Sequence, residues 1–307
     1  MNKKIIFVFL LLCAAVFGYA QETPQFAFNS SSDLDEELSV LQSDYEKYLA
    51  LKLELLLFKD KLDTKEVLKH YRRMYEIEHA SVIRYTTISD SLLPFLSQEF
   101  SSKSGTPVEF GSPLRKQSVK ENGTIMWFDA PVTKIDPALF APDVTGIQLP
   151  SSTNLNYSSS PTICVTNLKQ ITGKDVVNNH ALVSKDGTLI VAAVAGVDAY
   201  KIPVSVVKIG DGALRGSTIN HVIIPKNVME IGQAAFDLCK NLKTITILST
   251  EPIQINNQAF GSDKHLKFKI YVPETCYRDY CNKYPSLKKR IKKMKNLNYL
   301  TGVKMVG

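Results

Sequence analysis

The residue types that most often carry catalysis do not fall at catalytic spacings in this chain. The sequence has no Gly-x-Ser-x-Gly turn, no His-Glu-x-x-His helix and no phosphate-binding P-loop. The glycine-rich stretch 210–216 resembles a phosphate loop but misses the dinucleotide spacing by one residue. We therefore predict no catalytic residue and expect the protein not to be an enzyme.

Histidine and cysteine also lack the spacings of a metal site. The five histidines include no His-x-x-x-His pair, and Cys276 and Cys281 are too far apart for a zinc knuckle. We expect Cys239 to act as a small buried hydrophobe. Residues 1–20 have the charged start and short apolar run of a secretory signal peptide, and export would permit disulfides. Buried free thiols are nevertheless the preferred interpretation. No metal ion and no cofactor are expected.

Binding is the remaining chemistry, and its candidate residues lie between apolar ones in short alternating segments. Successive side chains of a strand point to opposite faces, so these intervening residues should face outward. Ile223 and Tyr271 are expected to be exposed apolar anchors. The alternative is ordinary sheet surface. The candidate ligand-binding residues are Gln148, His221, Ile223, Thr244, Thr246, Lys269 and Tyr271.

The alternating segments belong to a repeat. The pattern of Ile, a small residue, two variable residues, Ala and a bulky apolar residue begins at Ile209 and returns at Ile231 and Ile255. The steps are 22 and 24 residues, and periods of this size indicate stacked structural units. The sequence therefore predicts a solenoid with one short strand per turn, a fold that usually presents a binding surface.

The repeat resembles the BspA-type leucine-rich repeat of bacterial cell-surface proteins. The most complete copy runs from Ile224-Pro225 through Ile231-Gly232 and Ala235-Phe236 to Cys239 and Leu242. The copy before it has Ser217 in the place of that cysteine. The resemblance covers residues 83–285. It implies a solenoid, surface display and ligand binding without catalysis, and it carries no active-site residue to transfer.

The expected fold class is α+β, with a leucine-rich-repeat solenoid between helical ends. Within the solenoid, the weakly patterned stretch 150–202 is expected to hold degenerate turns, with a loop-rich insertion as the alternative. The predicted regions are a signal peptide at 1–20, a helical hairpin or short coiled coil at 21–82, a leader segment at 83–131, the solenoid at 132–273, and a C-terminal helical cap with a basic tail at 274–307.

The helical region allows two interpretations. Residues Asp63 to Glu66 form a capping-box pattern that should open the second helix. A helical cap on the solenoid is the simpler interpretation, and self-association through 33–62 is the alternative. The second rests on apolar residues that alternate steps of four and three, as in a coiled coil: Leu34, Leu38, Leu41, Tyr45 and Tyr48.

Charge is concentrated at the C-terminal end. Residues 264–307 contain twelve Lys or Arg against two Asp or Glu, and the run 288–295 holds most of this excess. In an exported protein this excess does not indicate a nucleic-acid partner, and the run lacks the aromatic residues that stack on bases. We expect either contact with an anionic surface through 288–295 or a solvated tail.

Together these features favour an exported recognition or adhesion protein without catalytic activity. Its partner would be a protein or a glycan, bound through the solenoid at the cell surface or after secretion. A structural or multimerising component of the cell envelope is the alternative function, and the periplasm is the alternative location. A hydrolase with an unrecognised N-terminal domain is a third hypothesis, which rests on Trp127 and the other aromatic residues of 88–131.

Overall fold

The computed structural model describes residues 43–58, 62–89, 92–93, 110–120, 123–151, 155–262, 267–294 and 305–306. The predicted signal peptide at 1–20 lies outside the described residues. Leu34, Leu38 and Leu41, the first three residues of the coiled-coil pattern, also lie outside them.

The described chain begins with a helical hairpin, as predicted. Helix α1 spans Asp44–Phe58 and helix α2 spans Thr64–Ser81. The predicted capping box is confirmed, because the Glu66 amide donates to Asp63 at 2.7 Å and the Asp63 amide donates to Glu66 at 3.1 Å. These bonds satisfy two of the amide groups that a helix start leaves unpaired.

The hairpin is docked on the rest of the protein through the chain's only tryptophan. The rings of Tyr45 and Tyr48 lie 5.3 and 4.6 Å from the ring of Trp127, and Leu51 and Ile77 are buried with it. Tyr45 and Tyr48, the two residues of the coiled-coil pattern that the structure describes, therefore pack within the chain. This contact packs the hairpin against the segment that contains Trp127.

The first sheet joins the predicted leader to the solenoid. It has five strands in the order β2-β3-β1-β5-β7, with β1 paired antiparallel to both β3 and β5. Strands β5 and β7 pair in parallel, one solenoid turn apart. The strands are β1 Val82–Thr87, β2 Leu114–Lys120, β3 Gly123–Phe128, β5 Val144–Gln148 and β7 Gln170–Thr172, while the short pair β4 Lys134–Ile135 and β6 Asn156–Tyr157 forms a separate two-stranded sheet.

Part of the stretch predicted as degenerate turns takes another form. Cys164, Leu168 and Ile171 are buried in a turn that ends in β7, as the repeat pattern suggested. After that turn, strands β8 Val176–Val177, β9 Ala181–Val183 and β10 Thr188–Ala192 pair antiparallel with one another, and β10 then pairs in parallel with the first solenoid strand of its sheet. The chain reverses between β8 and β9 because Asn178 and Asn179 adopt positive φ.

The solenoid proper is built on two sheets, and from β10 onward the strands of each pair in parallel with those of the next turn. We call the first the repeat sheet, and its strand order is β18-β17-β15-β13-β11-β19. The second, the covering sheet, has the order β16-β14-β12-β10-β9-β8. The remaining strands are β11 Ala199–Lys201, β12 Lys208–Ile209, β13 His221–Ile224, β14 Glu230–Ile231, β15 Thr244–Ile247, β16 Gln254–Ile255, β17 Lys269–Pro273, β18 Ile291–Met294 and β19 Met305–Val306.

The repeated residues stack on one another as the period predicted. Ile209, Ile231 and Ile255 pair in register across β12, β14 and β16, and all three are buried. Phe236 and Phe260 of successive turns stack with ring centroids 5.9 Å apart. A continuous apolar core therefore runs along the solenoid, and its stability comes from each turn burying the side chains of the next.

The C-terminal end of this core is closed by helix α3, Tyr277–Lys283. Tyr280 donates to the Glu251 carbonyl at 2.9 Å, and its hydroxyl accepts the Ile253 amide at 3.3 Å. Tyr284 donates to the Ile253 carbonyl at 2.6 Å and accepts the Ile255 amide at 2.9 Å. These tyrosines satisfy backbone groups at the last covering strand, so they act as structural caps.

Candidate ligand-binding face

The outer face of the repeat sheet brings most of the candidate residues together. Parallel pairing in register lines up equivalent positions of successive turns. The first outer row consists of His221, Thr244 and Lys269. The second outer row consists of Lys201, Ile223, Thr246, Tyr271 and Lys292.

The first outer row is polar and accessible. His221 and Thr244 are half-buried and Lys269 is exposed. Nδ1 of His221 and Oγ1 of Thr244 form a hydrogen bond of 2.8 Å between neighbouring strands. Inward residues on either side, such as Val222 and Ile245, are fully buried and hold these positions in place. The row is thus a rigid set of hydrogen-bonding groups.

The second outer row corrects one prediction. Ile223 was expected to be an exposed apolar anchor, but it is only 5% exposed, and Thr246 beside it is fully buried. Ile223 lies in the middle of the six-stranded sheet, between Lys201 and Thr246 in its row, and such a central position can be buried on both faces. Tyr271 is half-buried.

Gln148 is also misplaced in the sequence-based interpretation. It is exposed, but it lies on β5 in the five-stranded first sheet, opposite Arg84 and beside Thr172. The antiparallel strands β8 to β10 separate that sheet from the repeat sheet along the chain. Gln148 therefore does not extend either outer row.

The basic run at 288–295 contributes a residue to the second outer row, which sequence reasoning missed. Strand β18 pairs in parallel with β17 and places Lys292 directly beside Tyr271. The signal for this strand was available, because Ile291 pairs with Ile270 and follows it by 21 residues, close to the repeat period. Two other cations of the run are engaged locally: Lys293 pairs with Glu274 at 2.8 Å, and Arg290 lies over the Phe268 ring at 4.4 Å.

The repeat sheet has a one-sided charge distribution. Strands β11, β17 and β18 contain lysines, and none of β11, β13, β15, β17 and β18 contains an aspartate or glutamate. The covering sheet differs, because Lys208 and Glu230 are neighbours in its outer row and form an ion pair of 2.8 Å. The hydrogen bond to Glu230 raises the pKa of Lys208. The charged side chains that these strands of the repeat sheet carry are therefore all positive.

Reactive groups elsewhere serve the fold. Cys164, Cys239, Cys276 and Cys281 are all buried free thiols. Burial raises the pKa of Cys239 to about 11, and its thiol donates to the Leu214 carbonyl at 3.1 Å. Within the described part of the chain, no three His, Cys, Asp or Glu side chains are grouped to hold a metal ion. The described helices include none that is long and apolar enough to cross a membrane.

Comparison with known families agrees with this architecture. Residues 195–299 match the model described as BspA type Leucine rich repeat region, in six copies. This stretch is a BspA-type leucine-rich repeat region. The BspA-type match continues past residue 273, where the sequence pattern ended the solenoid, and it includes β18. No curated protein matches the chain.

Two solved structures are similar to part of this chain. A leucine-rich repeat protein from Bacteroides capillosus is 24% identical, with 44% of this chain and 100% of that chain covered and a TM-score of 0.29. A leucine rich cell surface protein from Faecalibacterium prausnitzii is 21% identical, with 57% of this chain and 55% of that chain covered and a TM-score of 0.37.

Proposed function

We propose that this chain is an exported recognition protein without catalytic activity, which binds a protein or glycan partner through the outer face of its repeat sheet. The observation that carries the proposal is the first outer row. His221, Thr244 and Lys269 come from successive turns, share one face and remain accessible. A solenoid holds such groups at the strand spacing of about 4.8 Å, so little ordering is needed on binding.

The proposed location has separate support. The BspA-type repeat region resembles that of bacterial cell-surface proteins, and residues 1–20 have the charged start and short apolar run of a secretory signal. Treating intact producing cells with protease tests the location. Digestion of the chain without lysis is the expected result, whereas protection until the envelope is opened would favour the periplasm.

Binding is tested with a substitution in the middle of the row. Thr244→Trp places a bulky uncharged side chain between His221 and Lys269. Gln254→Trp is the matched control, because it adds the same side chain to an exposed position in the outer row of the covering sheet. We expect wild type and Gln254→Trp to bind the same members of a glycan and surface-protein array, and Thr244→Trp to lose them. Equal binding by both variants would contradict the proposal.

A structural, multimerising role is the second candidate, and one surface favours it. Leu68, Tyr71 and Tyr75 lie three and four residues apart on the outer face of α2 and are 62, 48 and 60% exposed. Three apolar side chains at this spacing form a stripe that a second helix can cover. The stripe lies on α2, whereas self-association was predicted through 33–62.

The charges of α2 favour a second copy of the same helix as the partner. Basic residues such as Lys65 and Arg72 lie in its first half, and Glu76 and Glu78 lie in its second half. An antiparallel copy would place opposite charges together. Analytical ultracentrifugation of Tyr71→Glu against Leu56→Glu, a control on α1 that is also exposed, tests this role. If this role is correct, the wild type and Leu56→Glu are dimers and Tyr71→Glu is a monomer.

A further inference from the structure

We infer that the ligand of the repeat sheet is an acidic polysaccharide, and that Lys269, Tyr271 and Lys292 form the site for one of its charged sugars. This inference rests on the proposed function and adds the chemical class of the partner. It joins two features that are separate in the sequence, the outward positions of the repeat strands, which include Tyr271, and the basic run at 288–295.

The geometry of the site follows from the pairing of β17 with β18. Lys269 and Tyr271 are two residues apart on one strand, so both side chains point to the outer face. Lys292 is paired with Tyr271 in the neighbouring strand, about 4.8 Å away. One aromatic ring therefore has a lysine on each of two sides, along its own strand and across to the next.

Two lysines give the site its positive charge. Lys269 and Lys292 are exposed and have no ion pair with the residues that the structure describes. Glu274, which follows β17 in the chain, is engaged by Lys293 at 2.8 Å. The site is therefore selective for a negatively charged group, such as a carboxylate or a sulfate.

An acidic sugar supplies both chemical groups that this site can recognise. Its ring has an apolar face that can pack on Tyr271, and its carboxylate or sulfate can be held by Lys269 or Lys292. Further sugars of the same chain would meet Thr244 and His221 along the first outer row, where hydroxyl groups find hydrogen-bonding partners. A membrane surface fits less well, because the apolar Ile223 of this face is buried and cannot insert.

The test compares charged polysaccharides with neutral counterparts. The probes are polygalacturonate and chondroitin sulfate, set against fully methyl-esterified polygalacturonate and dextran. Binding to the full exported chain is measured by biolayer interferometry at two salt concentrations. We expect the two charged probes to bind, the two neutral ones not to bind, and the affinity to fall as salt rises.

Two matched double variants locate the binding. Lys269→Gln with Lys292→Gln removes two positive charges from the site, and we expect affinity for the charged probes to fall at least about tenfold. Lys226→Gln with Lys240→Gln removes the same charge from exposed positions outside the outer rows, and we expect it to bind as wild type does. Tyr271→Ala, with its ring removed, should also weaken binding.

Several results would overturn the inference. They are equal binding of charged and neutral probes, equal losses in the two double variants, no binding of either charged probe, and binding of phosphatidylserine vesicles or polyglutamate in preference to the polysaccharides. The proposed function is tested separately with Thr244→Trp. If a neutral glycan or a protein binds and that variant abolishes binding, the solenoid recognises a partner but the partner is not an acidic polysaccharide.

Discussion

Ile223 and Thr246 are paired residue to residue in neighbouring parallel strands, and both are buried although their row faces away from the solenoid core. On the outer side of the repeat sheet, the first outer row is therefore accessible, whereas the centre of the second outer row is closed to solvent. This arrangement separates positions where substitution should affect binding from positions where it should affect folding.

The first prediction concerns that closed centre. Ile223→Asp should lower the free energy of unfolding by about 3 kcal/mol or more, because it removes buried apolar contacts and leaves a carboxylate without a partner. Lys201→Asp, at an exposed position of the same row, should change it by less than about 1 kcal/mol. Denaturation in urea measures both, and similar losses in the two variants would contradict the assignment.

The second prediction concerns the close approach of two turns at Gly212. Its φ is +67°, and a Cβ there would lie 2.2 Å from the Ser160 carbonyl oxygen. Gly196 has a similar φ of +79° but no atom within 4 Å of its Cβ position, so Gly196→Ala isolates the backbone strain. That control should cost about 1 kcal/mol, and Gly212→Ala about 1–3 kcal/mol more. Thermal unfolding of the two variants measures the difference between their losses of stability. Equal losses would mean that the turns can move apart at Gly212 without an energetic cost.

The third prediction concerns pH and the helical hairpin. Burial by itself lowers the pKa of His70, but its 2.8 Å hydrogen bonds to Glu54 and to the Glu66 carbonyl outweigh burial, and the net shift is upward. A raised pKa means that the protonated histidine stabilises the fold. The contribution is complete below the unfolded-state pKa of about 6.5 and is lost as pH rises through the folded-state pKa.

Trp127 reports this loss, because α1 packs on it. Between pH 6 and pH 9, the urea midpoint followed by tryptophan fluorescence should fall for wild type. His70→Gln should remove this part of the pH dependence, whereas His79→Gln should keep it. A midpoint in His70→Gln that falls as steeply as in wild type would show that another group is responsible.

The fourth prediction concerns the thiols. All four cysteines of the described chain are buried, and burial raises the pKa of Cys239 to about 11, so neither access nor ionisation favours reaction. Iodoacetamide at pH 8 should leave the native protein unmodified and should label Cys164, Cys239, Cys276 and Cys281 in guanidinium. Mass spectrometry counts the labels. Rapid labelling of Cys239 in the native state would mean that the solenoid core opens locally.

Much of the fold could be predicted from local pattern. The capping box at Asp63 and Glu66 involves residues three apart, so sequence spacing alone specifies it. The repeat at Ile209, Ile231 and Ile255 specifies stacking, because equivalent residues of successive turns have to meet if each is to be buried. The direction of side chains within a strand follows from its alternation, and the inward positions were identified correctly on that basis.

The candidate site depended on information that alternation does not contain. A period of two separates the two faces of a strand, but it does not say which strand lies beside it or how deeply its outer face is covered. The tertiary structure therefore decided that Gln148 belongs to another sheet, that Ile223 is closed in the middle of its row, and that Lys292 lies beside Tyr271. The sequence by itself determined a repeat solenoid with polar outward positions. Pairing between distant turns decided which of those positions form one surface, because such pairing depends on strand order across the whole sheet.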